Sequence, residues 1–307
     1  MKILHVASTV TNIYTLATAQ RALGLTVDVI SFLPNIRNNF FDIYLPTKLP
    51  PFIQSLKKTP QLINIAKKYD IIHFHGTSGC SFYLDFLIYK KMGKKIVLHH
   101  RGIEWPNFYK KEYFMSRFAD YKFISTPDLL TYSPNAEWLP NPINIENIKL
   151  SDRKSNNNII NVVHPPTSIK QGTYKGTSTI IKTMEEIQRE RPEINFQLVL
   201  NKTHKEALEI YKSADIIVDQ LLVGFYGMVT IESMALGIPV VCFVHDNYGD
   251  IPVWNATVDT FKDRLLQLAD DRNALSSLSK KGREYVERVH DSAKVARRTL
   301  EVYESIY

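Results

Sequence analysis

Short apolar runs alternate with helix-length stretches along this chain, and the alternation occurs twice. In the first series, Ile3–Ala7, Val27–Phe32, Ile71–Phe74, Ile96–Leu98 and Phe123–Ser125 are short enough for strands buried on both faces. Between them, Tyr14–Leu23 before Gly24 and Phe82–Met92 before Gly93 read as helices closed by glycine, the residue that enters the left-handed conformation without steric cost. Strands joined by helices of this length fold as right-handed βαβ units on a parallel sheet.

The pattern breaks over 140–158, where Pro140 and Pro142 precede the polar run SDRKSNNN (151–158), which reads as an exposed linker. A second series follows. It runs through Ile159–Val163, a helix from about Thr177 to Arg189, Phe196–Leu200, a helix over Lys205–Lys212, and Ile216–Val218. A helix from about Gly227 to Leu236 and the strand Pro239–Val244 complete it, and two or three amphipathic helices lie beyond Thr257, the last over Asp291–Tyr307. The expected fold is α/β, with two Rossmann-like, doubly wound parallel-sheet domains facing a cleft. Ligands of open parallel sheets bind at the carboxyl ends of the strands, so that cleft is the expected site. The domains are placed at 1–143 and 158–288, followed by a helical segment at 289–307.

Charge divides the chain in the same way. Of the net +7, residues 1–150 carry +8 and residues 151–307 carry −1. A one-sided basic domain fits an anionic partner, and the paired lysines 57/58, 67/68, 90/91 and 94/95 would allow docking on an anionic membrane surface, each worth on the order of 1 kcal/mol. The same charge equally matches a solvated surface. No nucleic-acid motif accompanies it, so nucleic acid is not an expected partner. Only Cys80 and Cys242 are present and no apolar run approaches the roughly 20 residues that span a bilayer, so a reducing cytoplasm is the expected compartment.

The most informative segment is GFYGMVTIESMALGIPVV, residues 224–241. A glycine-rich turn opens an apolar helix, and the free N–H groups of a helix N-terminus suit a phosphate. Within that helix Glu232 sits among apolar neighbours with no Lys or Arg one turn away, and a buried carboxylate needs a partner. Ribose hydroxyls could supply one, as could an internal pairing.

This segment resembles the signature of GT-B glycosyltransferases of the family 4 type: a glutamate, seven residues, a second glutamate, then a small–x–small–Gly–x–Pro tail. Glu232 and SMALGIPV match its second half, whereas the first glutamate falls on Gly224 and is absent. ADIIVDQ (214–220), STPDLL (125–130), EWLPNPI (137–143) and KGT (175–177) resemble further stretches of the family. The resemblance implies that Glu232 binds the donor ribose and that the backbone of Gly227, Met228 and Val229 holds the diphosphate. Lys175, with Lys170 as the second basic residue, would neutralise the leaving nucleotide, as fixed cations and dipoles do where no metal serves. His100 or Arg101 would replace the family's sugar-contacting histidine in HHRGIE (99–104), with His75 as a second candidate. Asn201 and His204 would lie by the base, Asp219 and Gln220 would offer polar contacts, and Asn12 would face the acceptor.

The implied protein is a retaining transferase with no required cofactor or metal. It would move a sugar from a nucleotide-sugar, UDP-sugar favoured, to a glycan, lipid-linked or other cell-envelope acceptor. Its compartment would be the cytoplasm, with peripheral docking on the inner membrane leaflet, and its last helix would cross back to the first domain. The missing glutamate keeps a non-catalytic scaffold of the same fold as an alternative, and a sugar-nucleotide epimerase shares the architecture. A dinucleotide oxidoreductase is disfavoured, since no GxGxxG follows the first strand. His73, His75, His99 and His100 invite a metal, but no carboxylate or cysteine at ligand spacing completes a set.

Overall fold

The computed structural model describes residues 1–7, 11–32, 41–46, 51–76, 84–101, 115–151, 159–166 and 175–307, with residues 11 and 51–57 as backbone only. The chain divides into two compact units, residues 1–142 with 292–307 and residues 143–291.

In the first unit seven parallel strands form one sheet: β1 (Lys2–Ala7), β2 (Thr26–Ser31), β3 (Ile43–Tyr44), β4 (Ile71–His75), β5 (Lys95–His100), β6 (Tyr121–Ile124) and β7 (Glu137–Trp138). Their order is β3-β2-β1-β4-β5-β6-β7, so the winding reverses between β1 and β4. Because successive side chains alternate between faces, odd- and even-numbered strand residues build separate cores. Ile3, Val27, Ile71, Val97 and Phe123 pack with Ile13 and Leu16 of α1 (Thr11–Ala22) and with Val295 and Tyr303 of the last helix, Ser292–Ile306. Leu4, Ile30, Ile72, Phe74 and Leu98 pack instead with Leu62 of α2 (Pro51–Ala66) and Phe86 of α3 (Leu84–Lys91). The sequence reading missed α2, because Pro60 inside it interrupts the helical pattern. The two-residue strands β3 and β7 were also missed, being too short to show a period.

The second unit holds five parallel strands, β8 (Ile160–His164), β9 (Ile194–Leu198), β10 (Ile216–Val218), β11 (Val240–Cys242) and β12 (Trp254–Asn255). Their order, β12-β11-β10-β8-β9, places the reversal between β8 and β10. Helices α4 (Thr177–Glu190), α5 (His204–Lys212), α6 (Met228–Ala235), α7 (Phe261–Asp270) and α8 (Arg272–Val289) complete it. Ile180, Met184 and Ile187 of α4 and Leu265 and Leu268 of α7 share one core with Val162, Val218 and Val241. On α6 every residue from Thr230 to Ala235 is buried. Gly282 lets α8 pass it closely, since a Cβ there would stand 3.0 Å from Met234 Cγ. No helix among the described residues is long and apolar enough to cross a membrane.

Candidate functional site

In the second unit the reversal between β8 and β10 brings together polar groups that the sequence holds far apart. Asp219, one residue past β10, is buried, and its Oδ1 lies 2.6 Å from Lys175 Nζ. Its Oδ2 accepts from Thr230 Oγ1 in the first turn of α6 at 2.8 Å. Burial pushes this carboxyl up, but the Lys175 ammonium and the Thr230 hydroxyl outweigh it and hold the group below the usual carboxylate range. His164, the last residue of β8, donates from Nδ1 to Val218 O (2.8 Å) and meets Thr177 Oγ1 through Nε2 (2.9 Å). Burial lowers its pKa to about 4, so the ring is neutral at pH 7. Lys175 is therefore not a solvated lysine at a helix start. Gly176 at φ +75° caps α4 and turns the chain so that Lys175 O accepts from Leu221 N at 3.0 Å.

Gly227 is the N-cap of α6. No side chain caps the N–H groups of the first turn, and Thr230 in the same turn ties it to Asp219. One turn further on, Glu232 is 9% exposed, and its Oε1 lies 2.8 Å from Nε2 of His204, the first residue of α5. That contact supplies the partner which the sequence around Glu232 lacks, and it raises the His204 pKa. Asn201 is exposed and adopts φ +55°, a left-handed conformation that asparagine tolerates better than most residues. Lys170 lies outside the described residues.

The glycine-rich turn is built from within. Gln220 Oε1 accepts from the N–H groups of Leu222 (2.9 Å) and Val223 (2.5 Å), while its Nε2 donates to the carbonyls of Phe225 (3.2 Å) and Phe243 (2.5 Å). Gln220 thus shapes the turn from both ends of its amide. Gly224, where the first signature glutamate is missing, has φ +81°, and any Cβ there would collide with the imidazole of His245. The space for a side chain at 224 is filled by an exposed histidine 21 positions on, a substitution that the linear motif does not reveal.

The first unit has its own polar cluster at its own reversal. His5 of β1 pairs in register with His73 of β4, and His75 follows on the same face. Arg101, just past β5, donates from Nη1 to His75 Nδ1 at 3.3 Å. Since a guanidinium only donates, the proton of neutral His75 must sit on Nε2. That nitrogen then donates to His5 Nδ1 (2.7 Å), and His5 Nε2 donates to Gln20 Oε1 (2.7 Å). Gln20 Nε2 donates to Thr299 Oγ1 (2.8 Å) and Tyr303 OH (3.2 Å), and Tyr303 donates to His73 Nδ1 (2.6 Å). One directed chain of donors thus runs from Arg101 to the last helix and back to the sheet.

Burial lowers His5 to about 4 and holds His73, His75 and His99 well below the usual histidine range. His5, His73 and His75 offer ring nitrogens within 4.8 Å of one another, close enough to be considered as metal ligands. His5 and His75 are hydrogen-bonded to each other, His75 also receives a hydrogen bond from Arg101, and His73 meets Tyr303 through Nδ1 while its buried Nε2 has no partner among the described residues. His100 is buried at the end of β5. The sequence reading placed His75, His100 and Arg101 at this edge but missed His5, Gln20 and Tyr303, whose polar atoms carry no local motif.

No family model matches this sequence, and no curated protein matches it. Solved structures do. A glycosyltransferase from Rickettsia africae superposes with a TM-score of 0.73 at 14% identity, covering 99% of this chain and 98% of that one. Sucrose-phosphate synthase from Thermosynechococcus elongatus gives a TM-score of 0.70 at 16% identity, covering 100% and 99%. UDP-GlcNAc 2-epimerase from Neisseria meningitidis, bound to UDP-GlcNAc, gives 0.60 at 14%, covering 99% and 100%. At these identities the likeness establishes architecture and not chemistry. The chain has the GT-B fold of two Rossmann-like parallel-sheet domains.

Proposed function

We propose that this protein is a glycosyltransferase of the family 4 type that takes a nucleotide-sugar, with UDP-sugars favoured, and passes the sugar to a glycan or lipid-linked acceptor of the cell envelope. The observation that carries the reading is the construction around α6. An uncapped helix N-terminus at Gly227, Met228 and Val229 stands beside a lysine fixed by a buried carboxylate, with Glu232 one turn along. In this reading the diphosphate lies on those N–H groups, and Lys175, with Lys170, stabilises the charge that develops on the leaving nucleotide. Glu232 takes the ribose hydroxyls, and His204 holds its carboxylate in place while lying, with Asn201, by the base. His100 and Arg101 serve the sugar, no metal is required, and the anomeric configuration is retained. The basic first unit receives the acceptor, on the cytoplasmic face of a membrane where the acceptor is lipid-linked.

The test is calorimetric titration of the full chain with UDP, GDP and ADP. Glu232→Ala and Lys175→Ala should each weaken binding of the preferred nucleotide about 10- to 100-fold, as expected for losing a hydrogen bond to a charged group. Unchanged affinity in both folded variants would refute the assignment. The epimerase in the comparisons keeps a second reading alive on the same nucleotide site. It is separated by incubating the protein with UDP-GlcNAc and no acceptor: an epimerised product would favour it over transfer.

A further inference from the structure

Arg101 is a cation whose charge is left unbalanced by its described neighbours. It follows β5 at the carboxyl end of the sheet, where His75 closes β4, Asn12 lies in the first turn of α1 and Asn141 follows β7. Its guanidinium is part-buried and meets two neutral acceptors, His75 Nδ1 at 3.3 Å and Asn141 Oδ1 at 2.7 Å. Asn12 Nδ2 donates to that same Asn141 oxygen at 3.1 Å, so three donors converge on groups that carry no charge. Among the described residues no carboxylate pairs with Arg101, and burial pulls its pKa down to about 10 with no acidic group opposing it.

Three other cations of this unit do have a carboxylate: Arg21 is held by Asp42 at 2.5 Å, Lys90 by Asp120 at 2.6 Å and Arg298 by Glu137 at 2.5 Å, although each is partly exposed. A desolvated cation without a counter-charge is costly, and the guanidinium fork carries more donors than these two acceptors use. The directed chain through His75, His5 and Gln20 fixes one side of the fork and supplies no negative charge. Among the described residues, what such an arginine lacks is an anion with two oxygens.

We propose that Arg101, with Asn12 and Asn141 beside it, binds an anionic oxygen group, a carboxylate or a phosphate monoester, carried by a sugar substrate. The guanidinium fork engages two oxygens at once, while Asn141 and Asn12 hold it in place from one side. The identity of the molecule bearing the group rests on the sugar-nucleotide reading; the anion site itself does not.

Two matched pairs of probes locate the charge. UDP-glucuronate against UDP-glucose places it on the donor sugar, and glucose 6-phosphate against glucose places it on an acceptor-like sugar. Calorimetry on the full chain should show the charged member binding about 10-fold or more tightly in one pair, which identifies the source. R101Q should abolish that preference and R101K should reduce it, because an ammonium keeps the charge but not the fork. Equal binding of charged and neutral members in both pairs would overturn the proposal, as would a preference that survives R101Q. If R101Q does not fold, an undiminished preference in R101K overturns it. Failure of UDP itself to bind would refute the nucleotide reading alone, since glucose 6-phosphate against glucose still judges Arg101.

Discussion

The two sheets each gather a basic side chain, buried histidine and amide or hydroxyl groups where their winding reverses, yet they balance charge in opposite ways. In the second unit Lys175 is neutralised by Asp219 at 2.6 Å, and the carboxylate is further held by Thr230. In the first, Arg101 rests against His75 and Asn141, both neutral. A cation that already has its counter-ion keeps its place whether or not a ligand is present, whereas a cation without one is stabilised by whatever anion arrives. The second unit is thus arranged as a preformed cradle and the first as a receptor with one partner still to come. Buried histidines are more numerous in the first unit, with His5, His73, His75, His99 and His100, than in the second, with His164 and His290.

The largest effect that would break this comparison is acid sensitivity. A histidine whose folded pKa is depressed takes up its proton more readily when unfolded. Its contribution is therefore whole above about pH 6.5 and is lost as pH falls toward 4, at about 1.4 kcal/mol per pH unit for each ring. With His5 near 4 and His73, His75 and His99 well below the usual range, the first unit should lose hydrogen-exchange protection before the second between pH 6.5 and 4. Simultaneous loss in both units would erase the distinction.

Next in size, Asp219→Asn should destabilise the second unit by about 3 kcal/mol, because it leaves Lys175 without its counter-charge. Urea unfolding of that variant would show it, and adding Lys175→Met should recover part of the loss. In the first unit Tyr303→Phe interrupts the directed chain between Gln20 and His73 and should cost about 2 kcal/mol in the same assay, since it strands buried polar groups. An unchanged midpoint would mean that the chain is not what holds the last helix to the sheet. The smallest expected effect is at His204. The Glu232 carboxylate raises its pKa, so their pairing is complete below about pH 6.5 and is lost as pH rises through the raised value. Ring NMR should place the titration above that of an ordinary histidine, and Glu232→Gln should bring it back.

Much of the fold was legible in the residues. The strand Ile216–Val218 was read at its observed limits, and the helix starting at Thr177 and the last helix were within a residue or so of theirs, because period and glycine stops are local signals. Helix α2 was not legible, because Pro60 hides it. The candidate site was half legible. Glu232 and Lys175 could be singled out by motif, and the need of Glu232 for a partner could be stated. That the partner is His204, and that Lys175 answers to Asp219, depends on approaches across 28 and 44 positions that no local pattern encodes. The absent glutamate at 224 was visible as an omission. That the imidazole of His245 occupies the space above this left-handed glycine was not.

The last helix carries a consequence for biosynthesis. Val295, Ala296, Val302 and Tyr303 complete a core begun by Ile3, Ile13 and Leu16, and Thr299 and Tyr303 receive Gln20. A ribosome delivers those residues only after the whole of 143–291 has emerged. Until then the amino-terminal segment has one face of its sheet covered by α1 alone, without the last helix that completes that core. Nascent chains halted before Ser292 should bind hydrophobic-surface chaperones through the segment that was made earliest.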